Sequence, residues 1–260
     1  MSSHRIRWGA LLLALLTAIV TASPAHAADP SALWRIVHEQ CVPDQADHGD
    51  PAPCARVDLR GGWAVLKDLV GPTQFLLIPT QRASGIDDPA LLDGAAPNYF
   101  AAAWRARSFV DERAGADLPR DWIGLTINSA FARTQDQLHI HVDCVRADVH
   151  DALRAHADAV GPVWAPFPVP LAGHQYDAMA VGGDELDVDP FVLLADGVPG
   201  ARDDMAARTM AVVGTVGAAG NPGFVLLTDR ADAVTGDEAA AEELQDHDLC
   251  PLVAAATPGK

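Results

Sequence analysis

Lysine is almost missing from this chain: of 18 basic residues only Lys67 and Lys260 are lysine, against 35 acidic ones and a formal net charge of −17. Such a field gives nucleic acid or an anionic bilayer no general electrostatic hold. Any anionic ligand must be held by a local cluster of donors. C-x-x-C spacing is absent too, which removes the usual zinc-binding arrangements. Regular strand–helix alternation is also lacking, and this argues against a parallel βαβ sheet. The one long apolar run, residues 9–20, is short and rich in small residues for a membrane span.

That run follows a basic start with Arg5 and Arg7 and precedes Ala25-His26-Ala27, a small-x-small pattern. The three features together read as an export signal over residues 1–27; an uncleaved N-terminal anchor is the competing reading. Either places residues 28–260 outside the cytoplasm. They are numerous enough for one domain with a real core. The four cysteines are then expected as two disulfides. Cys41 and Cys54 bracket a loop rich in Pro and Asp that a bridge closes easily, which leaves Cys144 for Cys250.

Along the chain, a helix is expected over 31–40, a hairpin over 62–69 and 74–79, and a strong helix over 98–112. A strand over 122–128 and a helix over 148–160 follow. A second apolar hairpin covers 209–216 and 223–230. Residues 161–170 are too rich in Pro for a helix or a central strand. Helices mixed with hairpins indicate an α+β fold, mostly an antiparallel sheet with flanking helices. The run 75–78 (Phe-Leu-Leu-Ile) resembles 224–227 (Phe-Val-Leu-Leu), so the second half, beyond about residue 160, reads as a degenerate repeat of the first. Chance similarity of two apolar hairpins is the competing reading.

The most informative stretch is 135–144, Gln-Asp-Gln-Leu-His-Ile-His-Val-Asp-Cys. Apolar residues alternate with polar ones, the period of a strand with one apolar face, so Gln137, His139, His141 and Asp143 share the other. Two imidazoles and an amide there cost desolvation unless something uses them. Three chemistries fit the pair: ligands of a metal that needs further donors from elsewhere, core histidines satisfying backbone groups, or a nucleophile with a phosphate-positioning partner.

Asn128, Arg133-Thr134 and the run Gln137-Leu138-His139-Ile140-His141-Val142 resemble the histidine-triad superfamily, whose motif is His-x-His-x-His followed by apolar residues. Over residues 31–250 the chain resembles one branch, the CDP-diacylglycerol pyrophosphatase family. The stretches 34–41, 65–72, 77–80, 127–129, 173–176, 224–227 and 243–247 carry that resemblance. It implies a histidine-triad-like fold and hydrolysis of CDP-diacylglycerol to CMP and phosphatidate. His139 is then the nucleophile that forms a cytidylyl-histidine, and His141 contacts phosphate. Gln137 stands where the triad has its first histidine, a departure that removes a proton donor. Asn128 and Thr134 match positions that orient the phosphate. Lys67, Arg82 and Arg133 are candidate phosphate cations, each with a solvated charge as its plain alternative. His174 and Tyr176 are candidates to line the pocket or to pack in the core. No metal or cofactor is required. The expected partners are the lipid nucleotide and a membrane surface, at the periplasmic face of a bacterial inner membrane. A hydrolase or transferase of soluble nucleotide diphosphate conjugates, or a periplasmic lipid- or nucleotide-binding protein without activity, are the alternatives.

Overall fold

The computed structural model describes residues 29–217 and 219–257. The expected export segment, residues 1–27, lies outside them. The fold is α+β, built on a nine-stranded sheet in the order β1-β2-β3-β5-β4-β8-β9-β7-β6, with every pairing antiparallel. The strands are β1 (Arg56–Asp58), β2 (Trp63–Lys67), β3 (Phe75–Pro79), β4 (Ile123–Ile127) and β5 (Ile140–Cys144), then β6 (Ala165–Pro166), β7 (Asp177–Gly182), β8 (Met210–Val216) and β9 (Pro222–Thr228).

The alternation read from the sequence is visible in β5. Leu138, Ile140 and Val142 point into the main core, while His139, His141 and Asp143 occupy the opposite face. The core side is covered by α3 (Tyr99–Ala114). Asn98 starts that helix by accepting a bond from the Ala101 amide, and Gly115 ends it at φ +82°. Phe100, Trp104 and Val110 are fully buried against the sheet. Burying side chains such as Phe100 and Val110 contributes about 1.5–3 kcal/mol each.

The N-terminal segment departs from expectation. The helix does not end near Gln40: α1 (Ala32–Arg35) runs through a π-helical stretch, Ile36–Cys41, into α2 (Val42–His48). Pro43 stands just after the π-helical stretch and inside a continuous helix, so the proline content that argued for a loop misled. Gly49 then stops the helix at φ +69°. Both expected disulfides are present, Cys41–Cys54 and Cys144–Cys250. The second ties β5 to α6 (Leu249–Ala256).

Residues 161–170 do hold a strand, β6, but only two residues long and at the sheet edge, where proline is tolerated. Helices α4 (Ala147–Ala155) and α5 (Pro190–Gly197) complete the set. The succession strand–strand–helix–strand–strand–helix thus occurs twice, from β2 to α4 and from β6 to α6. The two sets have sheet orders β2-β3-β5-β4 and β6-β7-β9-β8, meeting where β4 pairs with β8.

Candidate active site

His139 immediately precedes β5, and its Nδ1 lies 2.7 Å from the carbonyl oxygen of Gln137. A carbonyl only accepts, so Nδ1 carries the proton and Nε2 keeps its lone pair. The ring is 8% exposed. Burial lowers its pKa below the ordinary histidine value, so the neutral, nucleophilic form prevails near pH 7.

His141 lies on the same face, with the two ring centroids 5.0 Å apart and nearly edge to face. Its Nδ1 is 3.2 Å from Glu242 Oε1, 3.2 Å from Gln74 Nε2 and 3.9 Å from Asp68 Oδ2. Among the described residues its buried Nε2 has no hydrogen-bond partner. Burial, and then the neighbouring His139, hold its pKa well below the usual range. An orphaned buried ring nitrogen is costly unless a ligand meets it.

Glu242 comes from a single 3-10 turn, Ala241–Leu244, far along the chain. Asn128 holds it twice: its Oδ1 accepts from the Glu242 amide at 3.0 Å, and its Nδ2 donates to Glu242 Oε2 at 3.2 Å. Behind these groups Asp143 is fully buried. It accepts from Thr73 Oγ1 at 2.9 Å and from His247 Nδ1 at 3.2 Å. Burial pushes the Asp143 carboxyl up, while the bond to Asp143 raises the His247 imidazole toward its charged form. Gly71 lets the loop after β2 lie against His247: it has φ +61°, and a Cβ there would sit 2.7 Å from the histidine side chain.

A cavity of about 570 Å³ opens above both histidines. Its polar wall includes Lys67, Asp68, Thr134, Gln135 and Glu242, and its other wall is apolar. Of the residues expected at the site, His139, His141, Thr134 and Lys67 line this cavity. The Lys67 ammonium is held by the carbonyls of Asp68 at 2.6 Å and Gly71 at 2.8 Å. Burial lowers its pKa.

The other expected site residues stand elsewhere. Gln137 is fully buried outside the cavity lining. Its Nε2 donates to the carbonyls of Pro79 at 3.1 Å and Gln81 at 2.9 Å, so the amide clasps the end of β3. Asn128 reaches the site through Glu242 rather than by facing the cavity. Arg133 is paired with Asp87 and, at 3.5 Å, with Asp136. Arg82 is exposed, its guanidinium 5.5 Å from the centre of the Trp34 ring. Tyr176 packs in the second core, and His174 bonds Asp237 at 2.6 Å.

Sequence reasoning passed over Asp68, Gln74 and Glu242, and reached His247 only as the end of the resembling stretch 243–247. Asp68, His141 and Glu242 place potential ligand atoms within 4.8 Å of one another, close enough for a cation, as do His174, Asp229 and Asp237. Chemically, the first site offers a neutral imidazole nucleophile, a second imidazole with a free nitrogen, and a carboxylate beside them.

The chain is similar to proteins of one family. A family model described as CDP-diacylglycerol pyrophosphatase matches residues 28–254. A CDP-diacylglycerol pyrophosphatase from Yersinia pestis is 44% identical over 250 residues, covering 94% of this chain and 95% of the relative.

Proposed function

The chain belongs to the CDP-diacylglycerol pyrophosphatase family, and we propose that it hydrolyses CDP-diacylglycerol to CMP and phosphatidate through a cytidylyl group carried on His139. The observation that carries this reading is the bond from His139 Nδ1 to the Gln137 carbonyl, which leaves Nε2 as a lone pair at the base of the cavity.

In the first step Nε2 attacks the cytidine-side phosphorus, the anhydride P–O bond breaks, and the electron pair leaves on phosphatidate. Phosphatidate departs as a phosphate monoester anion that needs little protonation, so an amide at Gln137 in place of an acid costs little. In the second step water attacks the same phosphorus, the P–N bond breaks, and the pair returns to Nε2. The water's proton passes to Glu242, and CMP leaves. Glu242 suits that role because His141 and Gln74 occupy Oε1 and Asn128 only one lone pair of Oε2.

His141 serves the phosphate. Burial keeps it neutral in the free protein, and a phosphate oxygen arriving at Nε2 supplies the counter-charge that favours a second proton there. The imidazolium then donates from Nδ1 to Glu242 and from Nε2 to the phosphate. Lys67 adds positive charge at the cavity wall, and Thr134 a hydroxyl. This scheme routes no step through a metal.

The finer fold reading is also ours: two histidine-triad-like units, the second without a histidine pair. The repeated succession of elements and the matching strand orders support it. In that arrangement β9 corresponds to β5, so the likeness of 75–78 to 224–227, which sets β3 on β9, is not the equivalence a duplication produces. Two disulfides and the N-terminal sequence support export to an oxidising compartment beside a membrane.

The test uses CDP-diacylglycerol labelled in the cytidine-side phosphate. The expected result is release of labelled CMP and, after an alkaline quench that preserves the P–N bond, label on the peptide containing His139. His139→Ala should lose at least about 10³-fold in rate, because the two-step route goes with the nucleophile. Labelled CMP formed by that variant at near-native rate rejects the assignment. Binding without CMP release by the unsubstituted protein rejects the activity.

A further inference from the structure

The cavity's apolar wall continues to the protein surface. Leu33, Ile36, Leu66 and Leu76 form it, and Leu69 and Val70 stand at its lip. Leu69 is fully exposed and Val70 is 48% exposed. They belong to the tight connection between β2 and β3, whose backbone is fixed by the Lys67 ammonium on the carbonyls of Asp68, Val70 and Gly71. A charged group thus spends its bonds holding two branched aliphatic side chains out in water, beside a site that takes a phosphate.

A second observation bears on what covers them. The described chain begins at Asp29, and its start is sewn to this same cavity. Gln135 Nε2 donates to the Asp29 carbonyl at 2.9 Å, the Leu33 amide donates to Gln135 Oε1 at 3.1 Å, and Gln135 itself lines the cavity. The segment preceding this seam contains the apolar run 9–20. Whatever bilayer that run meets during export, the cavity mouth is the part of the domain closest along the chain. The adjoining helix carries Trp34 under the Arg82 guanidinium, an amphipathic ring with a cation of the kind that settles at headgroup level.

From these features, and resting on the lipid-nucleotide reading above, we infer that the mouth of the His139 cavity is a bilayer-docking surface. Leu69 and Val70 enter the boundary between headgroups and acyl chains, and the wall behind them receives an acyl chain of the substrate, so the nucleotide end reaches His139 without the lipid leaving the membrane. Insertion is apolar rather than electrostatic, as the net charge of the chain requires.

The test uses the full chain. All four native cysteines are in disulfides, so Leu69→Cys and, separately, Val163→Cys each provide one thiol for an environment-sensitive fluorophore. Val163 is 71% exposed and precedes β6, the sheet edge opposite β1. Phosphatidylcholine vesicles should cut iodide quenching of the probe at 69 by at least about 3-fold and bring quenching by brominated acyl chains, leaving the probe at 163 unchanged. A probe at 69 that stays as open to iodide as the one at 163 overturns the inference. So does a probe at 69 already shielded before lipid is added, which assigns the surface to the chain's own N-terminal segment or to a second copy. Absence of CMP release by the unsubstituted enzyme would instead reject the lipid-nucleotide reading, and the quenching result stays readable apart from it.

Discussion

Replacing Glu242 with glutamine should separate the two steps proposed for the site. The substitution keeps the volume and one acceptor oxygen, so the bond from His141 Nδ1 can persist, now to a neutral group. It removes the only group assigned to take the water's proton, which costs the second step about 10²–10⁴-fold. The first step needs no base, because His139 is held neutral by burial with its lone pair already free. That step loses at most the difference between a charged and a neutral partner for His141, about 1 kcal/mol or roughly 5-fold. The imbalance means that Glu242→Gln should release close to one equivalent of phosphatidate per enzyme in a burst. CMP should then follow slowly, with cytidylyl label standing on the protein between the two. The assay is rapid mixing with substrate labelled in both halves and an alkaline quench. Equal slowing of phosphatidate and CMP, with no protein-bound label above that of the native enzyme, refutes the assignment of Glu242 as the water's base.

Gln137→Ala should act on stability: it strips the donors from two backbone carbonyls, at Pro79 and Gln81, and should cost about 2–4 kcal/mol in urea unfolding. An unchanged midpoint with activity lost would return Gln137 to the chemistry. Because burial lowers the pKa of His139 in the free protein, kcat/KM should hold as pH falls through the ordinary histidine value and decline only below it. The sign for stability follows: below the ordinary value the unfolded chain binds protons that buried His139 and His141 refuse, so stability falls from there down to their lowered values. A decline of kcat/KM centred above the ordinary value contradicts the burial argument. Removing Cys144–Cys250, which spans 106 residues, should cost about 5 kcal/mol in the chain-entropy picture. Removing Cys41–Cys54, which spans 13, should cost about 3 kcal/mol. Urea midpoints should fall in that order, and the reverse order would show native contacts outweighing loop entropy.

What the sequence disclosed was mostly local. The alternation in 135–144 identified β5 and its polar face, and the apolar hairpins and the Asn98-started helix were readable from their own residues. The helix α2 was not, because a proline carried past a π-helical stretch looks the same in sequence as one in a loop. Strand β7 and helices α5 and α6 went unnoticed in a half whose signals are weaker. Partners were harder still. His247 meets Asp143 from 104 residues away, and Asn128 meets Glu242 from 114. Nothing in the spacing of an acidic chain marks Glu242 among 35 acidic residues. Gln137 is less legible for a different reason. Its place in the motif suggested a triad histidine that had lost its acid, yet an amide supplies two N–H donors where a neutral imidazole supplies one, and two carbonyls wait there.

Glu242 and His247 show what the second half adds to a site whose histidine pair lies in the first. The His139–His141 strand belongs to the first half, but each imidazole needs a fixed orientation, and only His139 finds it locally, in the Gln137 carbonyl. His141 has no such carbonyl and depends on a carboxylate delivered from the end of the second half. That delivery is held at three points: Asn128 grips Glu242, Asp143 grips His247, and Cys144–Cys250 pins the start of α6 directly to β5. Each grip uses a residue of the first half: Asp143 and Cys144 are on β5, and Asn128 directly follows β4, the strand beside it. Of the side chains that meet Asp143, only Thr73 belongs to the first half; His247 and Cys250 come from the second. The pairing of β4 with β8 is therefore part of the site's construction, because it is the join that brings the late carboxylate under the early imidazole.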